Sequence, residues 1–432
     1  MSPTQRRTKS SGPAPPAKTL VLDNGAHTIK AGFSGLGIES PTPSIIPNCL
    51  ARDRDKKVYI GSSLSACKDF SEIVFRRPVE KGYLVNWEAE KEIWEHEFFD
   101  AKAPLHCDPK ETGLILTEAP NALPALQTFC DQVVFEEFGF ARYLRCLGPQ
   151  LNAYNDIQSI YTPPSTRPAN LTSIPPAEIM MLIDSSYSHT TITPLLLGRP
   201  IQSAIRRLDV GGKLLTNYVT RLLSLRQYDM RNDTYLVNEI KEATCYITTD
   251  FKEDMEKTWK GPKGDRRAVY ETSGGIAKDY VLPDYHSLTK GFVRDHDPDA
   301  ATKLKEMTKG KPIAASEDVL TLRNERFTVP ELLFIFLSYR WVYGQAFLAN
   351  IIVVGGNANI EGFIPRLQMD MRALAPAECI VRVAKPSDPI VSTWQGGASL
   401  ARDEDRLAAL SVTKEDYDEH GSAWVARKFG GR

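Results

Sequence analysis

The chain has 432 residues, 42% of them hydrophobic and 25% charged, and a formal net charge of −1. That length exceeds one ordinary hydrophobic core, so two lobes are expected, and the even charge balance excludes a global attraction to nucleic acid or to a membrane surface. No apolar run reaches the roughly 18 residues that span a bilayer, and no signal-peptide core follows the N-terminus, so an intracellular protein is expected.

Residues 1–18 are rich in Ser and Pro, carry positive charge only and lack apolar periodicity, which predicts a disordered basic tail. Its Arg6, Arg7 and Lys9 read first as solvated charge, with nuclear import or contact with DNA phosphates as the alternative. Thr19–Gly25 is an apolar run that ends on Asp23, and Ala26–Lys30 reads as its return strand, closed by Gly32–Gly35. Pro41–Gly61 is short and polar, with a charged turn at Arg52–Lys57 between two strands. Ser71–Asp100 starts extended as far as Pro78. It continues as a helix with Asn86 as N-cap and Trp87, Ile93, Trp94 and Phe98 on its apolar side. Gly113–Pro120 is a buried strand, and Ala122–Phe138 is an amphipathic helix. The proline-rich stretch 162–177 reads as a linker or surface loop.

The second half opens on the pattern of the first. Met180–Asp184 is a buried strand that delivers a carboxylate at its tip, Ser185–Ser188 is a small polar turn, and His189–Thr193 is the return strand. Asp209-Val-Gly-Gly212 follows, with Asp209 open to a second reading as a helix cap. Tyr235–Met255 reads as one long helix carrying Lys241 and Glu242, which as a bare i,i+1 pair could equally be solvated. Residues 256–316 read as a long insertion, flexible in part, with Tyr280–Pro283 and Gly291–Arg294 as its apolar exceptions. Its lysines read as a solvated face rather than a DNA contact. Arg326–Phe336 returns to core, Ile351–Gly356 is a third buried strand running into a glycine pair, and a helix spans about Gly362–Leu374. The last segment holds Trp394-Gln-Gly-Gly397, a helical Ser399–Ala409, and a terminal element at Lys414–Phe429 anchored by Tyr417 and Trp424. The seven cysteines are scattered singly with no C-x-x-C pair, which points to a reducing compartment and to isolated buried thiols rather than a structural zinc site.

Two copies of strand, Asp, small turn and strand imply two similar halves. If they fold around one cleft, Asp23, Asp184 and Gly355-Gly356 converge there. Hairpin N–H groups would then surround phosphates, the carboxylates would hold Mg²⁺ through water, and glycine would let backbone approach. His27 and His189 read as hydrogen-bonded turn or strand residues, not as ligands.

These residues resemble the actin family from Thr19 to nearly the end of the chain. The resemblance is carried, in order, by Asp23-Asn-Gly25 through Lys30–Phe33, Asn86-Trp87 with Lys91–Trp94, Leu116–Pro120, and Ile240–Glu242 with Cys245-Tyr246 and Asp250-Phe251. It continues through Asn324–Phe327, Leu374–Pro376, Trp394–Gly397 and Lys414–Gly421. It implies an α/β actin-like fold of the actin, hexokinase and Hsp70 type, with two ribonuclease-H-like lobes around a nucleotide cleft. The first lobe would be residues 19–176 plus 386–432, with 44–77 as a small outer subdomain. The second would be 177–385, with 256–316 as a partner-binding insertion.

Phe75–Pro78, Val210–Asn217, Arg226–Tyr228 with Thr234–Lys241, Asp279–Asp284 and Lys290–Arg294 are similar to a nuclear actin-related branch of the family. That similarity implies a non-catalytic subunit of a Swr-type chromatin-remodelling complex, which exchanges a histone variant into nucleosomes and regulates transcription. Implied partners are the remodelling motor, a small HIT-type zinc-finger subunit and, weakly or indirectly, nucleosomal histones and DNA, with no membrane. The implied location is the nucleus, with a cytoplasmic pool allowed. The implied cofactor is ATP or ADP with Mg²⁺ in a structural role, on Asp23, Gly25, Lys30, Asp184, Gly212, Lys241, Glu242, Gly355 and Gly356, with no catalytic residues and no protein metal ligands.

Against the family pattern, Ala26 and His27 replace a serine and a glycine, and Ser186, Tyr187 and Ser188 replace Gly, Asp and Gly. The position of the water-orienting glutamine falls on Gly148, with Gln150 two places away, and that of the purine-side lysine on Ile390. Losing such groups removes transition-state stabilisation, so hydrolysis is not expected. The Arg52–Lys57 turn replaces the loop that grips the next subunit of a filament. The stretch Ile335–Phe347 is shorter than the pattern, which puts the base of the second lobe in question and predicts exposed apolar surface there. The competing readings are an ATP-hydrolysing or phosphotransfer protein of the same superfold, which two intact glycine hairpins would favour, and a filament-forming cytoskeletal protein.

Overall fold

The computed structural model describes residues 16–161, 177–258, 275–297, 317–337 and 345–430, apart from 36, 39 and 40. Two sheets organise the chain. The first has six strands, in the spatial order Val412–Thr413, Arg142–Leu147, Thr112–Glu118, Lys18–Asn24, Thr28–Ser34 and Ser44–Pro47. The second runs Arg199–Pro200, Thr190–Leu196, Ile179–Ser185, Ile351–Val354 and Val383–Ala384, and Arg206–Leu208 also pairs with Thr190–Leu196.

Each sheet is built on the same unit. Lys18–Asn24 is antiparallel to its hairpin partner, with Leu22 opposite Ala31, and parallel to Thr112–Glu118, with Leu22 beside Leu116. Ile179–Ser185 repeats this, with Ile183 opposite Ile192 on one side and beside Val353 on the other. Both central strands are buried on both faces, which is why they are written as unbroken apolar runs. Leu20 and Leu22 face one core cluster and Val21 another. Met181 and Ile183 face the main core of the second lobe, while Met180 and Leu182 face a smaller cluster with Ala153 and Ile157.

The chain passes between the lobes at Gly148–Tyr154 and at Pro389–Thr393, and these two crossings are tied together by buried polar groups. Asn152 donates from Nδ2 to Thr393 Oγ1 at 2.9 Å, and its Oδ1 accepts from Ser392 Oγ at 2.7 Å. Asn155 donates to the Ser392 carbonyl at 2.9 Å. A small outer sheet of Val58–Ile60, Leu50–Arg52 and Val74–Arg76 stands on the first lobe. Its charged turn is closed by Lys57 N–H donating to Asp53 Oδ1 at 2.9 Å. Phe70 stacks on Tyr235 of the second lobe, with ring centroids 4.1 Å apart.

Three expectations are corrected. Tyr235–Met255 is two helices, Thr234–Thr244 and Phe251–Thr258. The intervening chain is drawn out because Tyr246 N–H donates to the Arg326 carbonyl at 3.0 Å and Ile247 N–H to the Glu361 carbonyl at 2.8 Å. Trp394–Gly397 is helical, part of Ser392–Arg402, and a separate helix, Glu404–Leu410, begins after Asp403, whose side chain caps it at Arg406 N–H. Asp209 caps no helix: it pairs with Arg207 Nε at 3.0 Å, and the next helix starts from Gly211 without a side-chain cap. Within the insertion, the apolar exceptions named from the sequence form two strands. Lys278–Val281 pairs with Phe292–Asp295 and with Val319–Leu322, and Tyr280, Leu320 and Leu322 enter the second-lobe core.

Residues 1–15 of the predicted tail, 162–176 of the linker, 259–274 and 298–316 of the insertion, and 338–344 of the shortened stretch lie outside the described residues. Phe334 and Leu348, which flank the last of these, are buried in the second-lobe core. Among the described residues no helix is long and apolar enough to cross a membrane.

Candidate functional site

The two hairpins face each other across a cavity of about 430 Å³. Its wall brings together all nine residues singled out in the sequence: Asp23, Gly25 and Lys30 from the first hairpin, Asp184 from the second, and Gly212, Lys241, Glu242, Gly355 and Gly356 around them. The departures Ala26, His27, Gly148, Ser186, Tyr187, Ser188 and Ile390 lie on the same wall. Gln150 does not; it lines a separate cavity of about 230 Å³ in the first lobe.

Pairing across the first hairpin sets Asp23 opposite Lys30, whose Nζ lies 3.4 Å from Asp23 Oδ2. The other Asp23 oxygen accepts from Thr117 Oγ1 at 3.0 Å, and that hydroxyl accepts from Asn24 N–H at 2.9 Å. Asp184 accepts from the Ser186 hydroxyl. Burial pushes its carboxyl up to about 6, opposed by Ser186, reinforced by the facing charge of Asp23 and eased by Lys30. Lys241 is buried rather than solvated. Its Nζ donates to Asn238 Oδ1 at 2.8 Å, Thr216 Oγ1 at 3.0 Å and the Gly212 carbonyl at 3.4 Å, and burial lowers its pKa. Glu242 is exposed and holds the Asn238 amide at 2.8 Å.

Gly355 is required where it stands. Its φ is +90°, and a Cβ would lie 2.4 Å from the Ser185 carbonyl oxygen. Asn357, next but one, donates to Ser185 Oγ at 3.1 Å and to the Ser186 carbonyl at 3.0 Å, tying the third loop to the second hairpin.

His27 and His189 are hydrogen-bonded through their carbonyls, which accept from Asn48 N–H at 2.9 Å and from Ser186 N–H at 3.1 Å. The Nδ1 of each is buried without a hydrogen-bond partner among the described residues. Burial, then Arg77, Lys241 and Lys30, hold His27 down at about 3, so its imidazole is neutral. Burial and then Arg207 hold His189 at about 4.

Sequence reading missed the groups that support this site from distant elements: Arg77, Asn48, Thr117 and Glu90. Asn48 donates to the Gly25 carbonyl at 3.0 Å and so fixes the first turn from below. Glu90 is fully buried behind it, accepting from Trp94 Nε1 at 2.9 Å. Burial pushes its carboxyl up to about 7, eased by the neighbouring side chains of Asn24, Trp94 and Asn48. Glu90 Oε2, Asn24 Oδ1 and Asn48 Oδ1 have no donor among the described residues.

A folded-state pKa above the ordinary glutamate value of 4.5 means the fold binds the proton more tightly than the unfolded chain does. Stability from this group is therefore full below about pH 4.5 and declines as pH rises towards 7. Glu90→Gln keeps an acceptor for Trp94 and supplies N–H donors for the orphaned oxygens. The variant is expected to be more stable than the parent by about 1–3 kcal/mol at pH 8. Urea melts at pH 5 and pH 8 check this: the gain should shrink at pH 5, and equal gains at both would contradict it.

ATP or ADP with Mg²⁺, which the family pattern places here, can be tested against these residues. The carboxylates and glycines are present, but the turn that should leave room for phosphate carries rings. His27 and Tyr187 lie against each other from opposite hairpins, with centroids 4.6 Å apart. The residues present do not fit a Mg²⁺–triphosphate group between the hairpins.

The Actin family model matches residues 14–340 and 343–430. The chain is 57% identical to Actin-related protein 6 of Neurospora crassa over 98% of this chain and 97% of that protein. It is 46% identical to Actin-like protein arp6 of Aspergillus fumigatus over the full length of both. It is 31% identical to Actin-related protein 6 of Drosophila melanogaster over 93% of this chain and 97% of that one.

Proposed function

The chain belongs to the actin family, and we propose that it works there as a non-catalytic subunit of a Swr-type ATP-dependent chromatin-remodelling complex. In this reading a separate motor subunit spends the ATP, and the complex exchanges a histone variant into nucleosomes. The observation that carries the reading is near-full-length similarity to proteins named Actin-related protein 6 in Neurospora crassa and Drosophila melanogaster and Actin-like protein arp6 in Aspergillus fumigatus. The motifs that resemble the nuclear branch support it, and the location that goes with this reading is the nucleus, with a cytoplasmic pool. Its partners are the motor, a small HIT-type zinc-finger subunit and the nucleosome.

The chemistry of the cleft argues for the non-catalytic part. Phosphoryl transfer depends on positioning and on charge aimed at the transferred group. Gly148 has no side chain with which to orient a water molecule, Asp23 is engaged by Lys30 and Thr117, and Asp184 is engaged by Ser186. The purified protein is expected to release no phosphate from Mg²⁺–ATP above buffer. Steady-state release that disappears in Asp184→Asn would overturn the non-catalytic reading. Affinity purification of the tagged protein from nuclear extract at moderate salt tests the assembly. A large remodelling motor, a zinc-finger subunit and histones should co-elute, whereas recovery alone or as filaments removes the reading.

A further inference from the structure

The tips of the two hairpins touch through side chains. The His27 ring rests on the Tyr187 ring with the planes 31° apart, a separation and tilt usual for packed aromatic pairs. Arg77 closes over the other side. Its guanidinium lies 5.5 Å from the Tyr187 ring centroid and donates to the His27 carbonyl at 3.1 Å and the Asn48 carbonyl at 3.2 Å. The three groups therefore join the first hairpin, the outer subdomain and the second hairpin into one contact.

Two more ties join the lobes further out. Arg207 donates to the Lys81 carbonyl at 2.5 Å and stacks 4.8 Å above Tyr83. Beside it, Gly82 (φ +84°) lies so close to His189 that an added Cβ would be 2.3 Å from that ring. The Phe70–Tyr235 stack forms the last tie. All of these are contacts of the chain with itself.

In a nucleotide-closed cleft the bound phosphates would bridge the hairpins, and opposing turns must then be small so that backbone can approach the oxygens. Here the bridge is already made by rings in van der Waals contact, and the neutral His27 offers no charge to an anion.

We propose that His27 and Tyr187 form a side-chain plug that takes the space of the phosphates and, with Arg77, holds the two lobes closed without nucleotide. The plug concerns the cleft alone and stands whether or not the protein works in a remodelling complex. It makes closure a constant of the fold rather than a report on ATP.

The test uses the full-length protein, with Mg²⁺–ATP and Mg²⁺–ADP as probes, isothermal calorimetry for binding and amide exchange for closure. The parent is expected to show no saturable binding at millimolar nucleotide and no change in exchange in segments 23–30 and 184–190. The double variant His27→Gly/Tyr187→Gly is expected to exchange about tenfold faster in both segments, as for loss of one packed aromatic pair. It should also gain saturable Mg²⁺–ATP binding that reverses the loosening. Saturable binding to the parent with protection of both hairpins overturns the proposal. So does a folded double variant that neither loosens nor binds. Should that variant not fold, Tyr187→Leu keeps apolar volume but loses the ring. Faster exchange in 23–30, across the cleft from the substitution, supports the plug, and unchanged exchange there overturns it.

Discussion

Arg145→Ala is expected to destabilise the protein by about 3–5 kcal/mol, because it leaves two carboxylates buried without their cation. Arg145 lies in the strand Arg142–Leu147 with its side chain 3% exposed. It donates from Nε to Asp131 Oδ1 at 2.9 Å, from Nη2 to Asp131 Oδ2 at 3.2 Å and from Nη1 to Glu118 Oε1 at 2.8 Å. Its guanidinium also lies 5.2 Å from the ring centroid of Phe429, so the substitution takes away a packing surface at the C-terminal helix as well.

Burial raises both acids, opposed chiefly by Arg145, with Gln127 helping at Glu118 and Tyr143 at Asp131. Once the cation is gone, the folded-state pKa of each acid rises further above its unfolded value. The fold then binds those protons more tightly than the unfolded chain, and stability recovers as pH falls. Denaturant melts should therefore show a smaller deficit at pH 5 than at pH 8, and Asp131→Asn in the same background should restore part of the loss. A deficit under about 1 kcal/mol, or one independent of pH, would mean the network is solvated in practice.

The second large effect is expected at Gly396. An added Cβ there would lie 2.0 Å from the Leu151 carbonyl oxygen and 2.5 Å from its carbon. Both are backbone atoms, so no rotamer change relieves the clash. Gly396→Ala must push the helix Ser392–Arg402 off the crossing segment Gly148–Tyr154. The same helix carries Trp394, which is 1% exposed and donates from Nε1 to the Val21 carbonyl at 3.0 Å. It also carries Ser392 and Thr393, which hold Asn152. Shifting it strains all three attachments, and a loss of about 3 kcal/mol or more is expected, at the top of the range for overpacking. Gly430→Ala is the control, since a Cβ there meets nothing within 4 Å. It should be neutral within about 0.5 kcal/mol by the same melts.

What could be read from the sequence, and what could not, divides along the distance over which each feature is decided. The two hairpins were visible because everything that makes them is local: an apolar run, a carboxylate at its tip, a small turn and a β-rich return. Of the nine cavity residues, Asp23, Gly25, Asp184, Gly212, Gly355 and Gly356 were visible through local motifs, whereas Lys30, Lys241 and Glu242 were reached only through the family resemblance. The break at Cys245–Asp250 was hidden because Ile240, Thr244 and Ile247 keep helical spacing across it, while the backbone partners that straighten the chain belong to Arg326 and Glu361. Trp394–Gly397 lay outside the helix expected from the sequence, which began only at Ser399. Its two glycines let a helix lie against Leu151 and Val21, a need invisible without the other segment. Arg77, Asn48, Thr117 and Glu90 were missed for the same reason: each comes to the site from an element whose arrival there is set by the packing of the whole first lobe. The replacement of a glycine by His27 and of an aspartate by Tyr187 was visible against the family pattern, but that the two rings meet is a fact of the third dimension.

All seven cysteines are buried and unpaired, and burial raises the thiols of Cys49, Cys67, Cys107, Cys130, Cys146 and Cys245. The reactive species of a thiol is its thiolate, so the native surface presents no nucleophilic sulfur to oxidants or alkylating reagents. Cys49 and Cys67 lie in the outer subdomain, Cys107, Cys130 and Cys146 in the first lobe, and Cys245 and Cys379 in the second. The chain thus carries built-in timers in each of its parts. Whichever sulfur is modified first names the part that opened, and the order of modification traces the route by which the molecule comes apart.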